Sequence, residues 1–191
     1  VGPSPTQATE AVANPSFSAG TADWQVSRNA TLARVVVAGV PAGQVTAKVK
    51  KGTKTIAIDS SASVVLPRGT YVHVAGQVST SQKGRTITFQ LREVDPSGKV
   101  LRTWTDPRKM TTANRWKWVG AHLTTMYAGS RVTVHVEEAL TGKSSFRLRQ
   151  MNQEVALPDV VEPNPTPQAP TPISTPTPTP TPTPIPTPTP T

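Results

Sequence analysis

The chain has 191 residues and no cysteine, and its 20 lysines and arginines outweigh 11 aspartates and glutamates to give a net charge of +9. Without cysteine there is no disulfide framework, zinc-thiolate site or thiol nucleophile, and no apolar run approaches the roughly 18 residues of a membrane-spanning helix. The last 29 residues hold 13 of the 21 prolines and no charge, which leaves about 145 residues for one domain with one core.

Residues 1–12, VGPSPTQATEAV, are small, polar and proline-bearing, and are predicted to be a leader or linker. The chain begins at Val1 with no methionine or signal-peptide pattern, as expected of a processed product or a piece of a longer protein. In NPSFSAGTADWQV, 14–26, an Asn-Pro turn leads to Phe17 and then to Trp24 through small and turn-forming residues. Its role is a structural fragment of a β-domain or the entrance to a site.

From there the hydrophobic period is two. Val45, Ala47 and Val49 alternate with Thr46, Lys48 and Lys50. Val72, Val74 and Val78 alternate with Tyr71, His73 and Gln77. Ile87, Phe89 and Leu91 do so with Thr88, Gln90 and Arg92, and Val132, Val134 and Val136 with Arg131, Thr133, His135 and Glu137. Each stretch is predicted to be a strand with one wet face. Turn signals separate them: LPRG at 66–69, SQKG at 81–84, DPSG at 95–98, YAG at 127–129 and LTGK at 140–143. No stretch of about ten residues carries a helical stripe, so the predicted fold is all-β, two packed antiparallel sheets in a sandwich or jelly roll. The Thr-Pro repeat of 159–191 predicts an extended polyproline linker, reaching on the order of 90 Å, with hydroxyls open to O-glycosylation.

The residues argue against an enzyme. Glycoside hydrolysis needs two carboxylates across a cleft, but Glu137 and Glu138 are strand neighbours pointing to opposite faces. Glu93 and Asp95 read as solvated or turn-forming acids at a strand end. There is no nucleophile elbow. His73, His122 and His135 lie on separate predicted strands without metal-ligand spacing, although His73 and His135 are free to meet on one sheet. No metal and no cofactor are expected.

Binding a sugar needs an aromatic platform for the C–H face of the ring and amides, guanidinium and carboxylate for its hydroxyls, all on one wet face. The wet faces offer Tyr71, His73 and Gln77, then Thr88, Gln90 and Arg92, then His135 and Glu137. Trp104, in VLRTWTDPRK, is either a rim platform or a cap over the core.

The charge offers a rival partner, an anionic polysaccharide. Lys48, Lys50, Lys51 and Lys54 crowd one hairpin, and Arg102, Arg108, Lys109, Arg115 and Lys117 gather elsewhere. A solvated, aggregation-protected edge strand is the default explanation of the hairpin. Nucleic acid is not expected, since the aromatics are few and separated and no recognition helix is predicted. The sequon NAT at 29–31 decides nothing.

In order, NPSFSAGTADW, TLARV, LPRGTYVHVAGQV, TITFQLREVDPSGKVL, MTTANRWKWVGAHLTTMYAGSRVTVHVEE and SSFRLRQ resemble the galactose-binding-like jelly-roll carbohydrate-binding modules. Such modules are appended to secreted bacterial xylanases, cellulases and mannanases, and the resemblance spans roughly residues 13 to 155.

It implies a sandwich over 13–158 with Phe17, Trp24 and Trp116 in the core and Asn14-Pro15 shaping the first turn. Trp118 shares the parity of Trp116 and would face outward through a bulge. The resemblance gathers Tyr71, His73, Gln77, Gln90, Arg92, Trp104, Trp118, His135 and Glu137 into one glycan cleft. Gly76 stands where related modules often place a cleft tryptophan. Ser18 and Arg149 replace two acids that help hold a structural calcium, so that site is expected to be missing.

The implied function is a non-catalytic, secreted, monomeric module that targets a tethered glycoside hydrolase or lyase to polysaccharide. The alternatives are a structural or adhesive spacer of a cell-surface protein, and binding of anionic polysaccharide.

Overall fold

Three of the four alternating stretches lie wholly in strands, and of 45–50 the residues Val45–Ala47 do. The computed structural model describes residues 11–26, 29–48, 55–61, 64–139 and 144–158. The leader up to residue 10, Val49, Lys50, Lys51 and Lys54 of the lysine hairpin, the whole LTGK turn and the Thr-Pro repeat lie outside the described residues.

Ten strands run in chain order: β1 (Trp24–Val26), β2 (Ala30–Val37), β3 (Val40–Ala47), β4 (Thr55–Ser60), β5 (Tyr71–Thr80), β6 (Arg85–Val94), β7 (Val100–Met110), β8 (Lys117–Thr124), β9 (Arg131–Ala139) and β10 (Ser145–Ala156). They form two antiparallel five-stranded sheets, ordered β1-β4-β9-β6-β7 and β2-β3-β10-β5-β8, hereafter the first and second sheets. No helix occurs among the described residues. The fold is a β-sandwich of the jelly-roll kind.

The described inward residues of the alternating stretches fill the space between the sheets. Val72, Val74 and Val78 come from the second sheet, as do Phe146 and Leu148, and meet Ile87, Phe89, Leu91, Val132, Val134 and Val136 from the first. The turns that set these registers use local chemistry. In the β6–β7 turn, Asp95 Oδ1 accepts from Ser97 Oγ at 2.6 Å, Ser97 N at 2.8 Å and Lys99 N at 3.0 Å, and Gly98 takes φ 87°. Those bonds, the serine hydroxyl foremost, hold the Asp95 carboxyl below its ordinary range.

The 14–26 stretch is structural. Phe17 is fully buried and Trp24 nearly so, their rings stacked with centroids 4.8 Å apart. Trp24 Nε1 donates to the Asn14 carbonyl at 3.0 Å, while Asn14 Nδ2 donates to Gly20 O at 3.0 Å and holds a left-handed turn at φ 44°. The Phe17 ring rests on Gly43 of β3, where an added Cβ would come within 2.5 Å of it.

Two acids depart from expectation. Glu137 and Glu138 do face opposite ways, but Glu138 and Glu93 point inward and are fully buried rather than solvated. Glu93 Oε1 accepts from Met126 N and Tyr127 N, both at 3.0 Å, and from Ser130 Oγ at 2.8 Å, so it organises the 126–130 loop. Glu138 Oε1 accepts from Ser144 Oγ at 2.6 Å, with Arg85 Nε at 3.7 Å. Burial raises its pKa, against the opposing pull of Ser144 and Arg85.

Candidate functional site

The nine residues predicted to share one cleft do not share one. The chain crosses between sheets at the β5–β6 turn, so wet faces of consecutive strands end on opposite sides of the sandwich. Tyr71, His73, Gln77 and Trp118 lie on the outer face of the second sheet, and Gln90, Arg92, His135 and Glu137 on the outer face of the first. Trp104 is on neither face. It pairs with core residue Leu91, packs against the core, and carries Arg102 at 4.1 Å over its ring, making it a cap. His73 and His135 are likewise on opposite sheets, and the partner of His73 in register is His122.

On the first sheet the polar side chains satisfy one another. Asp59 Oδ1 lies 2.7 Å from His135 Nδ1 and 3.2 Å from Arg92 Nη1, and His135 Nε2 lies 3.5 Å from Glu137 Oε2. Gln90 Oε1 accepts from Arg92 Nε at 2.9 Å and Nη2 at 2.7 Å. Among the described residues of this sheet, Trp24 and Phe89 are core and Trp104 packs against it, so no indole, phenol or phenyl ring faces outward. No group of three or more His, Asp or Glu among the described residues is placed to hold a metal ion.

The second sheet presents a different surface. One row across it runs Arg149, Gln77, Trp118, in register on β10, β5 and β8. Trp118 is 52% exposed. Arg149 donates Nε to Gln77 Oε1 at 3.0 Å and Nη1 to Val37 O at 3.3 Å, with its guanidinium 3.9 Å over the Trp116 ring. The next row, Asn152, Ala75, Gly120, has two small residues as its floor. Beyond it lie Glu154, His73 and His122, with the Tyr71 ring 6.0 Å from His122. On the other side of the arginine row, Arg147 pairs with Gln44 and Ser79 and donates Nε to Gln44 Oε1 at 2.7 Å.

Several expectations are corrected here. Trp116 is not core. It precedes regular β8 at the parity of Trp118, and both indoles belong to the outer face without any bulge. Gly76 is not a vacated cleft position. It faces inward opposite Val119, and a Cβ there would come within 2.7 Å of Met151 Cγ. Met151 reaches that space because β10 shifts register between Arg149 and Asn152, with Gln150 at φ 50°. Of the positions behind the calcium expectation, Ser18 is exposed and accepts from Ser16 Oγ at 3.0 Å, and Arg149 is part of the arginine row. Arg34 Nε donates to Phe17 O at 2.9 Å.

His122, Trp116, Arg147 and Arg149 were not among the predicted site residues. Alternation in SSFRLRQ already set Arg147 and Arg149 opposite to Phe146 and Leu148.

No protein-family model and no curated protein sequence matches the chain. Solved structures do, and carbohydrate-binding modules of families 61, 16 and 22 are among them. The chain shares the fold of these modules. TmCBM61, solved in complex with β-1,4-galactotriose, matches with TM-score 0.55 at 16% identity over 78% of this chain and 99% of that one. Enzymes share the fold too. A cyclase from Fischerella sp. TAU matches with TM-score 0.57 at 10% identity, over 76% of this chain and 95% of its own. The enzymatically active domain of bacteriophage CBA120 tailspike protein 4 reaches 0.59 at 8% identity, over 76% of this chain, but the chain spans only 21% of it. At such identities the likeness is one of fold.

Proposed function

We propose that the protein is a non-catalytic carbohydrate-binding module and that the outer face of the second sheet is its polysaccharide site. The observation that carries this reading is the half-exposed Trp118, set in register with Gln77 and Arg149 above a floor of Ala75 and Gly120. A pyranose ring stacks its C–H face on an indole while its hydroxyls exchange hydrogen bonds with amide and guanidinium groups. Small floor residues leave room for a chain to lie close to the sheet. Among the described residues the first sheet has no such platform, and its Asp59, Gln90, Arg92, His135 and Glu137 side chains contact one another.

Held on an insoluble polymer, such a module raises the effective concentration of whatever is tethered to it. The Thr-Pro repeat suits that tethering, and a secreted glycoside hydrolase or lyase is the partner that the reading implies. The shared fold of family 61, 16 and 22 modules supports it, the family 22 example being a xylan-binding domain.

The test is affinity gel electrophoresis over a panel of polysaccharides. Trp118→Ala is expected to weaken retention about tenfold or more with little change in melting temperature, and Gln90→Ala, on the opposite face, to leave retention intact. Trp24→Ala, by contrast, should cost about 3 to 5 kcal/mol of stability as a core aromatic. Retention that depends on Gln90 and ignores Trp118 would place the site on the other sheet; no retention on any polymer favours a structural spacer.

A further inference from the structure

Two kinds of arginine occupy the sheets. Four have a carboxylate within 4 Å: Arg85 with Glu138 at 3.7 Å, Arg92 with Asp59 at 3.2 Å, Arg102 with Glu93 at 3.9 Å and Arg108 with Asp106 at 2.9 Å. Arg34, Arg131, Arg147 and Arg149 have none among the described residues, and of these Arg147 and Arg149 share the outer face of the second sheet. Both are fixed by neutral groups instead. Each donates Nε to a glutamine carbonyl oxygen, Gln44 for Arg147 and Gln77 for Arg149, and the Arg149 guanidinium carbon also stands 3.9 Å from the Trp116 ring centroid.

That arrangement has a physical consequence. An amide and an indole orient a guanidinium without neutralising it, so the rotamer entropy of ordering is already spent while the full positive charge remains. With Nε engaged, and one Nη1 donor of Arg149 also given to Val37 O at 3.3 Å, the other Nη donors remain at the end of each guanidinium, in a fork that fits carboxylate, sulfate or phosphate. The two arginines are two residues apart on one face of β10, roughly 7 Å by strand geometry, and Arg149 lies two strands from Trp118, roughly 10 Å. Glu154, His73, His122 and Tyr71, the other titratable groups among the described residues that face outward on β10, β5 and β8, stand beyond the β10 bulge, past the Ala75 row.

We infer that this face selects an anionic polysaccharide, one ring stacking on Trp118 while acidic substituents along the chain are received by Arg149 and Arg147. The inference rests on the glycan reading of the face and narrows its ligand class. It puts the net charge of +9 to use at a defined place rather than as a diffuse field.

The experiment compares the full chain with Arg147→Gln/Arg149→Gln in titrations against sodium polygalacturonate, dextran sulfate and a neutral β-1,4-galactan, at low and high salt. The wild type is expected to bind at least one acidic polymer about tenfold or more tightly than galactan, with affinity falling as salt rises. The polygalacturonate and dextran sulfate arms tell carboxylate from sulfate. The double variant should lose about tenfold or more on the acidic polymer and become less salt-sensitive, while its melting temperature holds. If the double variant folds poorly, Arg149→Lys, which keeps the charge and loses the fork, should still weaken acidic binding severalfold. Trp118-dependent binding of galactan as tight as that of either acidic polymer would overturn the inference and leave the glycan reading standing. Acidic binding indifferent to both arginines would reduce it to bulk charge, and no binding to any polymer would end both readings.

Discussion

A buried carboxylate gives the sharpest contrast between reading a residue and seeing it. Glu138 differs from its neighbour Glu137 by one position, and strand alternation alone sends it inward, where it is fully buried. Burial raises its pKa above the ordinary carboxylate range, although Ser144 and Arg85 oppose the rise. A raised folded-state pKa means that the folded chain holds the proton more tightly than the unfolded one. The stability gained that way is fully present below the unfolded pKa and is lost as pH rises through the folded value. Glu138→Gln, which stays uncharged, is therefore expected to gain in urea midpoint relative to wild type at neutral pH, with the difference shrinking as the solution is acidified. A gap that widens on acidification would contradict the assignment. Alternation made the direction of Glu138 legible, but it did not reveal Ser144 and Arg85 as its neighbours, because Arg85 is brought there by the pairing of β6 with β9 and Ser144 by the chain's entry into β10.

At the scale of the element, β10 shows how one irregularity organises two surfaces. Its shift between Arg149 and Asn152 turns Met151 into the core, where it takes the room left by Gly76, and keeps Arg147 and Arg149 on the outer face. Gly76 and Met151 thus act as a pair. Gly76→Ala would bring a Cβ within 2.7 Å of Met151 Cγ, with Leu148 Cδ1 at 3.5 Å and the Arg149 carbonyl at 3.6 Å. Overpacking of this kind costs about 1 to 3 kcal/mol. In a double-mutant cycle with Met151→Ala the two losses should fall short of additivity by more than about 0.5 kcal/mol; strict additivity would separate the bulge from the glycine. From sequence, Gly76 looked like a lost binding residue. Even with its inward parity evident from Val74 and Val78, nothing local shows that a methionine about 75 positions away fills the gap.

For the whole molecule, the packed core and the hydrophobics against it run from Ala11 to Val155, and every tryptophan lies within that span. A chain ended after Pro158 is therefore expected to melt within about 4 °C of the full one, the shift that roughly 1 kcal/mol makes at this size. A larger drop by calorimetry would show that the Thr-Pro repeat carries stability. The sequence by itself determined the alternating strands, the described turns between them and the inward or outward sense of their alternating side chains, because those follow from a period of two and from local turn chemistry. Only the tertiary structure decided which outward residues meet. Consecutive strands β5 and β6 pair in different sheets, and strand order is a matter of contacts far apart in the chain. Gln77 and Gln90 accordingly look alike in sequence and stand on opposite sides of the sandwich. Arg149, two strands from Trp118, becomes its neighbour across a single amide.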